Sequence, residues 1–543
     1  MRTGAGVRPG AGSVALSLAG LTLAARLVGF GRSVVFSKTV GDTCLGDAYN
    51  AANSLPNVLF EIVAGGVLAG VVVPVVARHV GAGRNEQTSR TVSALVTWTL
   101  LLLTPAGLAA LLGAPLYARL LASPGCDGSA ATMAALLVVF APQVWFYGLA
   151  VVSAGVLQAH SRFLAAAAAP LVSSLVVVAA YLAFAGLAAP AARDDLSALT
   201  SRATAVLAWG TTLGVLALAL CTLVPLSRLG LRLRPRLRFA GDDHGVILRI
   251  AGAGLVGLVL QQLSVLLITW AAQRSGDPGA LTRFTWANAL YLLPYAVLVA
   301  PLLQLVFPRL AVAAGSTEEA PGRAVQRVLR ETAPSVAVLA WLGAALLAST
   351  AVPVARVFVL GPGSGRTDAL AGPIAAFAPA VVGFALLGLA SRTLLAQHRA
   401  RAAGLATGAA WATVLLAVAV LRLVVPPASL VPALAGSVTL GMAVGALVGW
   451  SALGRQGVRA GLGRPLLVGT AAAVVAVLAC WWPASRLAGA GLSLALGGGA
   501  ALAALATAVF LGVTALLDRS LLTGLRQLRR HSADTAEVQH ARR

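Results

Sequence analysis

Apolar runs of 18 residues or more recur along the chain from Ser13 to Leu517, and no other feature narrows the fold so far. A run of that length satisfies its backbone inside a bilayer only as a helix, so its repetition reads as an all-α polytopic membrane protein. The runs are continuous rather than alternating in strand-length pieces, which excludes an outer-membrane barrel. Only 10% of the residues are charged, less than half the share in soluble domains. A soluble enzyme, a disordered tail protein and a disulfide-rich secreted domain are thereby excluded.

Hydrophobic helices are expected at 13–37, 47–77, 91–114, 130–156, 163–187, 201–226, 247–272, 281–308, 334–356, 369–391, 402–423, 429–451, 465–484 and 489–517. That makes about 14 transmembrane helices. An even number puts both termini on one side, and the basic residues indicate which. Of the 40 Lys and Arg, 28 fall on the side of the termini and 10 on the opposite side, with Arg26 and Arg32 inside the first span. Both termini are therefore expected to be cytoplasmic, and the skew to arginine, with Lys38 the single lysine among the 40 basic residues, suggests a GC-rich bacterial genome and hence a bacterial plasma membrane. The first span carries two arginines and no small-residue cleavage site, so it is expected to be retained. The net charge of +23 would suggest nucleic acid in a soluble protein. Topology accounts for it here, and no nucleic-acid partner is expected. The segment Arg228–Arg249 reads as a basic connector, either an anchor on anionic membrane lipids or a partner site.

The halves repeat. Asn50-Ala51 and Leu55-Pro56 return as Asn288-Ala289 and Leu293-Pro294, Phe140-Ala141-Pro142 returns as Phe377-Ala378-Pro379, and Leu157 with His160 returns as Leu395 with His398. The offset is 237 or 238 residues throughout. Six spans is an even number, so the copies are parallel and related by an axis along the membrane normal. The expected organisation is an N-terminal six-helix lobe (1–228), the connector (229–246), a C-terminal six-helix lobe (247–455), an extra helix pair (456–517) and a basic tail (518–543). Major-facilitator transporters share parallel halves, but their charged signature between spans two and three is missing from this chain.

Ionisable residues inside a bilayer are functional candidates, because each costs about 2.5–3.5 kcal/mol at a helix centre. Span one carries Arg26 and Arg32. Span two carries Glu61, the only acidic residue deep in any apolar run. Arg26 lies about 20 Å from one end of its span and Glu61 about 21 Å from the opposite end of its own, so pairing is expected in the middle of the core. Two readings stand: a cationic cavity wall that grips an anionic headgroup through guanidinium forks, or an internal ion pair that locks the two spans. Asp47, Asn50, Asn53 and Asn57 add polar groups to span two, the three asparagines on one face. Such a face binds sugar hydroxyls or a neighbouring helix. Gln261 on span seven and Arg283 and Asn288 on span eight complete the candidate headgroup site. Pro56 and Pro294 should kink their helices at matching positions.

Soluble chemistry is missing. The Gly361–Thr367 stretch GPGSGRT lacks both the spacing and the lysine of a phosphate loop, and no metal site, cofactor motif or nucleophile elbow is found. No catalysis, cofactor or metal is expected. Cys221 and Cys480 read as small core residues. Cys44 and Cys126 both fall in loops assigned to the oxidising face, where a disulfide between them is the working hypothesis.

The stretch Ala24–Arg78 resembles the start of the MurJ/MviN family of lipid II flippases, in the MOP superfamily with the MATE exporters. Arg26, Gly29, Arg32, Asp47, Ala48, Tyr49, Pro56, Asn57, Gly66 and Pro74 fit its pattern in order. Leu293-Pro294 with Pro308-Arg309-Leu310 resembles the second signature. The order Pro56, Asn57, Glu61, Gly65, Gly66 is similar to the variant of GC-rich Gram-positive bacteria. The resemblance implies a MOP/MATE-like fold and a cavity lined by spans one, two, seven and eight. It also implies arginines on a diphosphate and a groove for the lipid tail against the last two spans. The implied cargo is an undecaprenyl-diphosphate-linked peptidoglycan precursor, lipid II, moved from the inner to the outer leaflet by alternating access, with cell-wall synthesis proteins as further partners. Ala289 stands where an arginine is common, and spans nine to fourteen hold no Asp, Glu or Asn for a Na⁺ site. The alternatives are a MATE-type exporter of another amphiphile and a non-transporting scaffold for wall synthesis.

Overall fold

The computed structural model describes residues 11–62, 68–239, 243–315 and 321–523. The helices of the first half are α1 (Ala11–Thr39), α2 (Cys44–Phe60), α3 (Leu68–Gly81), α4 (Asn85–Leu112), α5 (Ala114–Leu121), α6 (Ser129–Phe140), α7 (Gln143–Ala159), α8 (Phe163–Leu187) and α9 (Ser201–Ser227). There follow α10 (Asp243–Gln273), α11 (Ala280–Pro294), α12 (Ala300–Ala314), α13 (Pro321–Ser349), α14 (Ala351–Val359), α15 (Thr367–Phe377) and α16 (Ala380–Ala396). The chain closes with α17 (Ala400–Val424), α18 (Pro427–Gly454), α19 (Gly463–Ser485) and α20 (Leu492–Leu517). The described residues contain no strand beyond one isolated bridge, Asp42 to Gly363.

Twelve of the described spans, from Asn85–Leu112 to Leu492–Leu517, are long and apolar enough to cross a membrane. The other two of the expected fourteen fall on α1, which carries Arg26, Arg32 and Lys38, and on α2 with α3. Residues 63–67 between α2 and α3, and with them Gly65 and Gly66, lie outside the described residues, as do 240–242 of the connector and the tail beyond 523. Large apolar side chains stand on the outside, among them Leu423 at 85% and Leu516 at 86% exposure. A water-facing surface does not carry apolar patches on this scale; a hydrocarbon-facing one does. The protein is a multi-pass membrane protein.

The repeat is visible in the backbone. Span four breaks between α6 and α7 at Ala141-Pro142, and span ten breaks between α15 and α16 at Ala378-Pro379, because proline removes a hydrogen-bond donor and crowds the preceding turn. The next turns match as well. The Arg162 amide donates to the Leu157 carbonyl and the Arg399 amide to the Leu394 carbonyl, both at 2.8 Å. These are the six-to-one bonds that close a helix through a left-handed residue, here Ser161 (φ 58°) and His398 (φ 57°). The geometry therefore pairs Ser161 with His398. The sequence comparison aligned His160 with His398, one residue out of register.

Two compact units hold the described residues. The first takes residues up to Val40, Cys44–Ala122 and Cys126–Leu255; the second takes Gly41–Thr43, Ser123–Gly125 and residues from Val256 on. Within the first, Val72, Val76, Val92, Leu95, Val152, Val156 and Leu226 join α3, α4, α7 and α9 in one core. Within the second, small residues of α19 and α20 (Ala472, Ala476, Cys480, Ala506) pack with Leu502 and Phe510 against Val338, Ala345 and Val357 of α13 and α14.

The connector is strapped along α4. The Arg234 amide donates to Ser93 Oγ and the Arg236 amide to Thr97 Oγ1, both at 3.1 Å, and Trp98 Nε1 donates to the Leu237 carbonyl at 3.0 Å. Ser93 and Thr97 are one turn apart on α4, which matches the two-residue step of an extended strand. Ser93→Ala with Thr97→Val removes two bonds worth about 1 kcal/mol each. Trypsin is expected to cut the purified double variant after Arg232, Arg236 and Arg238 about 10–30 times faster than wild type. Unchanged cleavage would show that the strap does not depend on these hydroxyls.

Candidate functional site: a polar face with unpaired arginines

The first unit brings its candidates together on α1 and α2. Arg26 is exposed and Arg32 half-buried. Neither makes an ion pair with Glu61 among the described residues, so the expected Arg26–Glu61 pairing is not formed. The reason is local: Pro56 sits inside α2, and the backbone passes into π geometry at Glu61–Ile62. A π turn adds a residue per turn and redirects the side chains beyond it. Glu61 is left exposed. With the internal lock missing, the two guanidiniums remain available to an anion.

Arg32 lies close enough for its charge to act on Tyr49, Tyr147 and Tyr181. Tyr49 and Tyr181 belong to a buried network. The Tyr49 and Tyr181 hydroxyls share a hydrogen bond of 2.8 Å, and Tyr49 bonds Thr211 Oγ1 at 2.9 Å. Phe36 packs on both rings with centroids 5.2 Å away. The network fixes α1 against α2 and α8, and with it the place of Arg32. Rigid backing of this kind is what a binding group needs if it is to meet a ligand without reordering.

Asn50, Asn53 and Asn57 are half-buried along α2. Asn50 and Asn57 each donate to a carbonyl one turn back, at 2.9 and 2.8 Å, while Asn53 Oδ1 is buried with no hydrogen-bond partner. Asp47 is buried, 1% exposed, and belongs to the packing rather than to an open face. In the second unit, Gln261 on α10 and Asn288 on α11 are half-buried. Among the described residues no group of three or more His, Cys, Asp or Glu could hold a metal ion.

Arg283 departs most from expectation. Instead of lining a headgroup site it is 1% exposed, and its guanidinium is gripped by carboxylates. Nη1 donates to Asp42 Oδ2 at 2.9 Å and to the Pro278 carbonyl at 3.2 Å, and Nη2 donates to Asp277 Oδ2. Ser364 Oγ donates to the same Asp42 oxygen at 2.6 Å. The GPGSGRT stretch thus serves as a wall of this cluster. Burial pushes the Asp42 carboxyl above its ordinary range, opposed by Ser364 and Arg283. A lone arginine in a span looks like a functional charge; here one counter-ion, Asp277, lies six residues back in the preceding loop, and the buried one, Asp42, is 241 residues away, where no local spacing announces it.

Cys44 and Cys126 form a disulfide, with Cα atoms 5.6 Å apart. Arg392 follows the expected 369–391 span and so belongs, by sequence, to a cytoplasmic loop. The structure places it inside α16, which runs on to Ala396.

Three comparisons bear on these features. The family model described as lipid II flippase MurJ matches residues 36–511. A probable lipid II flippase MurJ of Rhizobium meliloti (strain 1021) is 28% identical over 339 residues, covering 60% of each chain. The lipid II flippase MurJ of Burkholderia cenocepacia is 27% identical over 309 residues, covering 55% of this chain and 56% of its own. The chain thus matches about 60% or less of the length of these curated relatives. Among solved structures, lipid II flippase MurJ in an inward closed conformation superposes with a TM-score of 0.70 at 15% identity, over 93% of this chain and 99% of its own. An inward-facing multidrug resistance MATE family transporter of the MOP superfamily superposes with a TM-score of 0.63 at 14% identity, over 81% and 98%. At those identities the superpositions establish the fold.

Proposed function

The chain belongs to the lipid II flippase MurJ family, and we propose on that basis that it carries a lipid-linked peptidoglycan precursor, lipid II, from the inner to the outer leaflet. The observation that carries the reading is the pair of arginines on α1 with no acidic partner among the described residues. A guanidinium fork matches phosphate oxygens two at a time, and two of them spaced along one helix suit a diphosphate. Arg26 and Arg32 hold that group. Asn50, Asn53 and Asn57 offer amides to the sugar hydroxyls.

Both termini lie in the cytoplasm, by the excess of arginine on that side. Nothing in this scheme makes or breaks a covalent bond, so the protein acts as a transporter and not as an enzyme. Cell-wall synthesis proteins are the natural partners at the point of release. A MATE-type exporter of cationic drugs would want acidic groups on the polar face, and Glu61 alone supplies one. A non-transporting scaffold would not need Arg26 at all.

Growth of cells depleted of their own lipid II flippase separates these readings. The wild-type protein is expected to restore growth, and Arg26→Ala to fail at equal membrane expression. Rescue by Arg26→Ala would show that transport does not depend on that guanidinium. Failure of the wild type, when expressed and inserted, would contradict the flippase reading.

A further inference from the structure

Arg392 is one turn from the end of α16, about 6 Å inside the helix. A basic residue in that position ordinarily extends toward the nearer membrane surface. Arg392 does the opposite. Its Nη1 donates to the carbonyl of Gly388 at 3.2 Å, one turn back, so the guanidinium points inward. Among the described residues that carbonyl is its one hydrogen-bond acceptor, and its remaining N–H donors are not buried.

A hydroxyl stands beside it. A Cβ placed on Gly388 would lie 3.2 Å from Arg392 Nη1 and 3.5 Å from Tyr295 Oη. Both groups, together with Leu303 Cδ1 at 3.4 Å, thus close over the bare Cα of Gly388. Tyr295 opens the π segment Tyr295–Val299 that follows Pro294, the second-half counterpart of the π turn at Glu61. Its ring is braced by Phe384 of α16, with centroids 4.5 Å apart, and the residue is half-buried. A cation with free donors beside a hydroxyl, next to a π turn, makes a cradle for an anionic oxygen.

We propose that Arg392 and Tyr295 form an anion subsite in the second unit that takes a phosphate of the lipid-linked substrate near its cytoplasmic entry. This rests on the flippase reading above. Arg392 contributes the fork and Tyr295 a hydroxyl donor, and the bare Cα of Gly388 lets the two come together.

The test is binding of a short-chain, fluorescent lipid II analogue to the full-length protein in zwitterionic nanodiscs. Arg392→Ala is expected to weaken binding roughly ten-fold, as the loss of one charged hydrogen bond does. Arg392→Lys should recover part of the loss, since it keeps the charge without the fork. Gly388→Ala retains every charge but sets a Cβ against both groups, and is expected to weaken binding several-fold. Arg399→Ala, on the exposed turn beyond α16, should leave binding unchanged. Equal binding by wild type and Arg392→Ala would overturn the subsite while leaving the flippase reading intact. Nanodiscs containing phosphatidylglycerol form the second arm. If Arg392→Ala alters protein association with that lipid and not analogue binding, the residue is a phospholipid anchor and the subsite is overturned. No analogue binding by folded wild type would overturn both readings together.

Discussion

Arg283→Met is expected to lower stability by about 3–5 kcal/mol, the usual consequence of removing one partner from a buried ion cluster. The guanidinium and the Asp42 carboxylate are each 1% exposed at the side chain, so water cannot replace what the substitution takes away. Asp42 would keep only the Ser364 hydroxyl on Oδ2, and Asp277 would lose its partner. Asp42→Asn should cost less, about 1–2 kcal/mol, because Arg283 keeps Asp277 and the Pro278 carbonyl. Burial already disfavours the Asp42 charge. Its proton is held more tightly in the fold than in the unfolded chain, so its contribution is full below the ordinary carboxylate range and declines as pH rises through the raised value. The stability gap between wild type and Asp42→Asn should therefore narrow toward higher pH. Unfolding of the purified proteins in one detergent measures all three. A loss under 1 kcal/mol for Arg283→Met would show that the cluster does not hold the second unit together.

Gly279→Ala is expected to rival that loss, at about 2–5 kcal/mol. Gly279 has φ +82°, and a Cβ there would sit 2.2 Å from the Asp42 carbonyl oxygen and 2.6 Å from its carbon. Both atoms are backbone, which cannot swing aside as a flexible side chain would. Gly276 provides the control. It shares the left-handed geometry (φ +77°) but has nothing within 4 Å, so Gly276→Ala should cost only the conformational strain, about 1–2 kcal/mol. The difference between the two measures how tightly the Asp42 segment is held. Equal losses would mean that segment yields.

The spans, the repeat and the proline breaks were legible in the sequence because each is a local pattern: an apolar run, a tripeptide returning at one offset, a ring where a donor is needed. Helix ends were less so. Arg392 fell outside the expected 369–391 span because Ser391, Arg392 and Thr393 lower the hydropathy without ending the helix. The paired prolines pointed to kinks, but the π turns behind them decide where Glu61 and Tyr295 stand, and no residue type marks a π turn. The Arg283 cluster was hidden for a different reason. Asp42 is 241 residues away and Ser364 81 residues away, so only the fold brings them together. The polar face of α1 and α2 was readable residue by residue, yet the expected Arg26–Glu61 pair was not, since pairing depends on side-chain direction beyond a bent helix.

In the proposed mechanism Arg26 and Arg32 grip the diphosphate of lipid II while it crosses. That grip is tested most directly by lipid II accessibility at the outer leaflet of cells depleted of their own flippase and supplied with wild-type protein, Arg26→Ala or Arg32→Ala. Wild type should restore outward lipid II, and each variant should cut it about ten-fold or more at equal expression. Full restoration by both variants would make the arginines structural and contradict the account.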